Sequence, residues 1–269
     1  MLLLLAGIFP AKGQLICRDS SVHLGDSVKK ELKTRPFLTP YKDNYFVLGT
    51  ALNEKPDNYN SNVKFQISVA FRIAKGLPLN SFLSITYTQL TIWDVFQRSL
   101  PMRDLNFNPG LSWTTPWYHG DRFIGTTSLI LEHESNGRDG DKSRSWNRIA
   151  MSGSLLLTDN VILYGKIWIP IIDSQNNRDI LKYRGIGQLG AEIQTFNKRC
   201  TFDVMFEKGT GKRFNTAWEF SWRVGKRSNL CLFTQFYSGY GECLLNYNEY
   251  HCELRTGISF RPSFLTSHL

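Results

Sequence analysis

Residues 63–73 alternate without a break: Val63, Phe65, Ile67, Val69, Phe71 and Ile73 take one parity, and Lys64, Gln66, Ser68, Ala70 and Arg72 the other. A helix would scatter this apolar set around its circumference, so the stretch reads as a strand between two opposite environments. At about 3.3 Å per residue it reaches roughly 36 Å, and a tilt near 45° reduces this to about 25 Å, the height of the apolar band on a membrane-spanning barrel. The pattern recurs at 216–224, where Trp218, Phe220, Trp222 and Val224 oppose Glu219, Ser221 and Arg223. It recurs again at 252–260, where Leu254, Ile258 and Phe260 oppose Glu253, Arg255 and Ser259. Period two by itself fits either a soluble sandwich with a wet outer face or a barrel whose lumen is crossed by charged pairs.

About twelve such runs are expected, near 45–51, 63–74, 80–93, 106–117, 123–136, 146–158, 161–172, 184–196, 200–208, 215–225, 229–240 and 250–261. An even count permits antiparallel up-and-down closure, which removes the unpaired edge that lipid could not satisfy. The mean hydropathy of −0.27 looks soluble, but in a barrel lipid-facing and lumen-facing residues cancel in any average. With no run of eighteen apolar residues, a transmembrane helix is excluded.

Residues 1–13 read as a secretory signal lacking its charged start, with small residues at Ala11 and Gly13. Residues 14–41 read as a polar periplasmic arm, and 42–269 as the barrel domain. Lys plus Arg exceed Asp plus Glu by 32 − 23 = 9, but the charges are spread and no nucleic-acid motif accompanies them, so solvent or lipid headgroups are the expected partners. The five cysteines form no Cys-x-x-Cys pair and support no zinc site; a bridge between Cys243 and Cys252 stays open.

Chemistry concentrates at 132–148. In the run from Leu129 to Ser135, Leu129, Leu131, His133 and Ser135 share one strand face, while Ile130, Glu132 and Glu134 share the other. A histidine two residues before a serine on one face can serve as the base that a weakly nucleophilic hydroxyl needs. After the turn signal Asn136-Gly137 the chain resumes at Trp146, and in a hairpin Asn147 would stand beside His133 and fix its ring, the third role in triad logic. The plain alternative is a polar hairpin loop in which His133 and Ser135 merely hydrogen-bond their surroundings.

The segments His133-Glu134-Ser135-Asn136-Gly137-Arg138 and Ser143-Arg144-Ser145-Trp146-Asn147-Arg148 together resemble the signature of bacterial outer membrane phospholipase A. Similarity extends from about Lys42 to Phe260 and includes Tyr87-Thr88-Gln89 and 236–242. The resemblance implies a twelve-stranded antiparallel transmembrane β-barrel in the outer membrane and calcium-dependent hydrolysis of phospholipid and lysophospholipid esters, at both the sn-1 and sn-2 positions. Its triad would be Ser135, His133 and Asn147. Calcium would be held by the Arg138 carbonyl and by Ser143, with Ser99 reaching the ion of a partner subunit. The bound waters and the Ser135 backbone N–H would form the oxyanion hole. Gln89 would lie in the interface of an active homodimer. A second family calcium site uses an aspartate where this chain has Asn176. The rival readings are a catalytically inactive or porin-like outer membrane barrel and a soluble β-sandwich binding protein.

Overall fold

The computed structural model describes residues 37–172, 175–196, 198–225 and 228–261. The signal expected at 1–13, and residues 14–36 of the expected arm, lie outside the described residues. The strands are β1 (Leu38–Pro40), β2 (Asn44–Ala51), β3 (Ser61–Leu77), β4 (Ser81–Trp93), β5 (Met102–His119), β6 (Arg122–Ser135), β7 (Ser145–Thr158), β8 (Val161–Ile171), β9 (Gly187–Thr195), β10 (Cys200–Lys208), β11 (Phe214–Arg223), β12 (Leu230–Tyr240) and β13 (Tyr250–Phe260). From β2 onward each pairs antiparallel with its sequence neighbours, and β13 pairs with β2, closing a twelve-stranded barrel. All twelve expected runs are strands. The largest displacement is at β5, which starts four residues before the expected 106 because Met102, Asp104 and Leu105 pair with the end of β4.

The thirteenth strand, β1, lies in the segment read as arm. It pairs with β3 at Leu38↔Phe71 and Pro40↔Val69, beyond the point where β2 leaves the same edge at Tyr45↔Gln66. The chain thus joins the barrel wall at Leu38, with an interruption at 41–43 where Asn44 accepts the Ser68 N–H through Oδ1 and Arg261 pairs with Asp43 at 2.8 Å.

The two ends of the barrel differ. At one, strands are joined by brief turns such as 120–121 and 159–160; at the other, by the longer connections 94–101, 136–144, 172–186 and 241–249. Ile67, Phe71, Trp218, Trp222 and Ile258 are exposed on the outer wall, whereas Lys64, Ser68, Arg72, Glu253 and Arg255 are buried inside. A soluble sandwich would bury the apolar parity; here it is the outward one, as hydrocarbon requires.

The lumen is filled. Lys64 and Arg255 meet Glu242 at 3.1 and 2.6 Å, and Arg261 reaches Glu192 at 3.2 Å. The 241–249 connection folds inward: the backbone N–H groups of Leu244 and Leu245 donate to Asn106 and Asp104 of β5. Leu244 and Tyr247 then join Ile130, Trp146, Ala150, Trp168 and Ile180 in an apolar cluster, on which the short helix α1 (Leu181–Arg184) rests through Leu181 and Tyr183. Such packing leaves an internal cavity of about 380 Å³, which fits a plugged barrel and not a wide channel. Cys243 and Cys252 are free thiols, so no bridge joins them. Burial and the nearby Asp104 push the Cys243 thiol up to about 12, which keeps it protonated.

Candidate active site

β6 and β7 form a hairpin in which His133 lies directly opposite Asn147, and Ser135 opposite Ser145. His133 Nδ1 and Asn147 Oδ1 are 2.8 Å apart. A carboxamide oxygen only accepts, so Nδ1 carries the proton and Nε2 is left with a lone pair. Ser135, two residues on, shares the outward face with His133. No hydrogen bond joins Ser135 Oγ to any described residue, so the hydroxyl is oriented by its backbone alone. The backbone itself is fixed: Asn108 of β5 donates its amide to the His133 carbonyl at 2.7 Å, and Phe107 pairs with Ser135.

The inward face of the same hairpin is tied together by ion pairs. Arg148 meets Glu132 at 3.0 Å and Glu134 at 2.8 Å. Lys166 reaches Glu132 at 2.5 Å, and Arg184 lies 3.8 Å from Glu134 and 2.9 Å from Glu207. Trp146, 0% exposed, donates its indole N–H to Glu134 and lies 4.2 Å beneath the Arg148 guanidinium. Each buried charge has an opposite partner, the condition under which such a network holds a single geometry.

The 136–144 loop is organised by Asn136, which is buried. Its Oδ1 accepts the Arg144 N–H at 3.0 Å and its Nδ2 donates to the Lys142 carbonyl at 2.9 Å. Gly137 has φ +62°, where an added Cβ would also meet the Phe107 ring at 3.0 Å, so glycine is required there twice over. Arg138 sends its guanidinium sideways to the Met102 and Arg103 carbonyls, at 3.3 and 2.5 Å. This ties the loop to the base of the 94–101 connection that carries the exposed Ser99. Asn176 donates to the Gly140 and Ser143 carbonyls, and Asn177 exchanges hydrogen bonds with the Ser145 backbone. Neither the Arg138 carbonyl oxygen nor Ser143 Oγ hydrogen-bonds to another described residue. Both are oxygen donors of the hard kind that calcium takes.

Gln89 stands on the same outer surface. Cross-strand partners run Ile67, Gln89, Phe107, Ser135 and Ser145 in one row, which puts Gln89 two strands from Ser135, roughly 10 Å at the usual strand spacing. Its carboxamide has local partners: Tyr87 donates to Oε1 at 3.0 Å and Nε2 points at Thr91 Oγ1, 3.5 Å away.

The structure thus places His133, Ser135 and Asn147 on one face, Arg138 and Ser143 in one loop, Gln89 on β4 and Ser99 in the 94–101 connection that follows it. The sequence names Asn136 only as part of a turn signal and does not announce the other supports: Asn108, Asn177, Arg184 and Lys166. Parity does place Glu132, Glu134 and Arg148 on the opposite face, but Lys166 and Arg184, which complete their ion pairs, lie on later elements and no local pattern announces them.

The family model for phospholipase A1 matches residues 26–260. Among curated relatives, a Proteus vulgaris phospholipase A1 is 32% identical over 245 residues, covering 85% of this chain and 83% of the relative. The Escherichia coli K12 phospholipase A1 is 31% identical over 249 residues, covering 85% and 83%. Among solved structures, outer membrane phospholipase A from Escherichia coli superposes with a TM-score of 0.75 at 27% identity, covering 84% of this chain and 99% of that one. A Salmonella typhi outer membrane phospholipase dimer with bound calcium superposes at 0.76 and 28% identity, covering 88% and 98%. A match spanning almost all of the barrel, from sequence and from structure alike, means that this chain belongs to the phospholipase A1 family and is an outer membrane β-barrel.

Proposed function

We propose that this outer membrane phospholipase cuts acyl esters by a Ser135–His133–Asn147 triad on its lipid-facing surface. It would act on phospholipids and lysophospholipids, at the sn-1 and sn-2 positions. The observation that carries the reading is the 2.8 Å contact between His133 Nδ1 and Asn147 Oδ1, which leaves Nε2 unprotonated on the face that also bears Ser135.

Chemically, His133 Nε2 takes the proton as Ser135 Oγ bonds to the ester carbonyl carbon. The tetrahedral adduct collapses, the C–O bond to the glycerol breaks, and His133 returns its proton to the departing lysophospholipid oxygen. A water then repeats the sequence on the acyl-serine and releases the fatty acid. Asn147 holds the imidazole tautomer throughout, but a neutral amide compensates less imidazolium charge than a carboxylate would, so the developing oxyanion needs another source of positive charge. Calcium bound by the Arg138 carbonyl and Ser143 Oγ would supply that charge.

Dimerisation completes the site in this reading. A lone barrel offers half a cleft along the row from Gln89 to Ser135, and a second barrel apposed there supplies the other wall, with Ser99 reaching toward the partner's ion. An idle monomer then spares its own membrane.

The test is fatty-acid release from mixed phospholipid micelles by refolded protein, with calcium or with chelator, beside Ser135→Ala. Release that needs calcium and is lost by roughly 10⁶-fold in the alanine variant is expected. Equal release in the variant would remove Ser135 from the mechanism, and release unaffected by chelator would remove calcium.

A further inference from the structure

The outer wall is not uniformly filled. On β7, β8 and β9 the outward positions Gly153, Gly165 and Gly187 carry no side chain; Gly153 pairs with Gly165, and Gly187 lies one step up the neighbouring strand, opposite Ile167. Together they floor a diagonal groove of about 790 Å³, a volume typical of ligand sites. Met151 and Ile167 form one wall, Leu189 and Phe206 the other, and Phe214 and Lys208 close the upper end. The backbone does not demand glycine at Gly153: an added Cβ would meet only the Thr126 carbonyl oxygen, at 3.5 Å.

The upper end is basic. Lys208 pairs with Phe214 across β10 and β11, and among the described residues its ammonium donates to the Gly211 and Gly209 carbonyls alone. Thr210 N–H bonds to the Leu181 carbonyl, which brings the exposed Lys182 to the same rim as Lys208 and the exposed Lys212. Acidic partners there are Asp179, 3.7 Å from Lys182, and Glu207, which points inward to Arg184.

A groove in a wall that faces hydrocarbon is filled by an acyl chain, because water has no polar partner there. We propose that it holds one membrane phospholipid of net negative headgroup charge, its chain along Gly153, Gly165 and Gly187 and its phosphate on Lys208. The occupant is a bystander and not a substrate, since the groove climbs away from Ser135, on the side opposite Gln89. The proposal does not depend on the hydrolytic mechanism.

The test uses the full chain in detergent micelles with equal amounts of diether phosphatidylglycerol and diether phosphatidylcholine, which have no ester to cut, and counts retained lipids by native mass spectrometry. Wild type is expected to retain the anionic lipid about fivefold over the zwitterionic one, the effect of one lysine at an anionic headgroup. Lys208→Gln should bring the ratio near one, Lys208→Arg should keep it, and Gly153→Leu with Gly165→Leu should lose both lipids while heat-modifiable gel mobility still reports a closed barrel. No preference in wild type, or a preference that survives Lys208→Gln, overturns the proposal. So does displacement of the lipid by inorganic phosphate alone, which would mark a free-anion site. Anionic lipid held in the catalytic cleft would be indifferent to Lys208, four strands from Ser135.

Discussion

The two faces of the β6–β7 hairpin are built from alternate residues of the same two strands, yet they are held in opposite ways. Inward, Glu132, Glu134, Trp146 and Arg148 engage Lys166, Arg184 and one another, and both Arg148 and Trp146 are buried. Outward, His133, Ser135 and Asn147 share a single internal hydrogen bond, with the Ser135 hydroxyl uncommitted. On the proposed mechanism the two faces have separate tasks: the buried face supplies geometry, and the exposed face leaves the Ser135 hydroxyl free for substrate. A hydroxyl already bonded to a neighbour would have to lose that bond before attacking.

That division can be broken most sharply at Ser135. The roughly 10⁶-fold loss expected in Ser135→Ala should come with a change in unfolding free energy within about 0.5 kcal/mol, since no described partner loses a bond. Urea unfolding in lipid vesicles measures it. A large destabilisation would show that the outward face also carries the fold.

Arg148→Met is the converse experiment. It leaves Glu134 without its closest cation and strips Glu132 of one of two, so a destabilisation of about 3–5 kcal/mol is expected. The thioether keeps much of the volume over Trp146, which separates lost charge from lost packing. Protein that still folds should show a lower kcat, because β7 carries Asn147 next to Arg148. Unchanged stability would mean that Lys166 and Arg184 suffice to hold both carboxylates.

Which parts of this were legible follows from the range of each interaction. Strand parity is local, so residues 63–73 announce a two-faced wall, and the outward set Leu129, Leu131, His133 and Ser135 follows from position alone. The hairpin register is nearly local too, since Asn136-Gly137 marks the turn and His133↔Asn147 is its consequence. The choice between sandwich and barrel was not available from period two; it needed the observation that Ile67, Phe71 and Trp218 face outward while Arg255 faces in. The inward plug at 241–249 was equally hidden, because Asn106 and Asp104 meet Leu244 and Leu245 across about half the chain. At the N-terminal edge, β1 falls in the segment that reads as arm, because three residues ending in Pro40 are too few to show a period.

A smaller effect separates positioning from proton transfer. Asn147→Ala removes the acceptor from His133 Nδ1–H but neither reacting atom, so kcat should fall by about 10–100-fold with KM little changed. Asn147→Asp should restore most of the rate, because a carboxylate accepts the same hydrogen bond and compensates imidazolium charge. Failure of the aspartate to rescue would assign Asn147 to hairpin structure and not to ring orientation.

The mildest perturbation lies at Gln89, between the two regimes. It shares the outer row with Ser135, yet its carboxamide is already partly satisfied on its own strand by Tyr87 and Thr91. A polar group in hydrocarbon with one amide hydrogen to spare gains about 0.6 kcal/mol, and up to nearly 2, from a partner across an interface. Gln89→Leu should therefore weaken self-association by roughly 3–20-fold, measured by sedimentation equilibrium in detergent. Activity should fall by the same factor at low protein density and recover at high density. Association left untouched would mean that Tyr87 and Thr91 satisfy Gln89 completely, and the dimer contact would then have to be sought elsewhere along the row from Ile67 to Ser135.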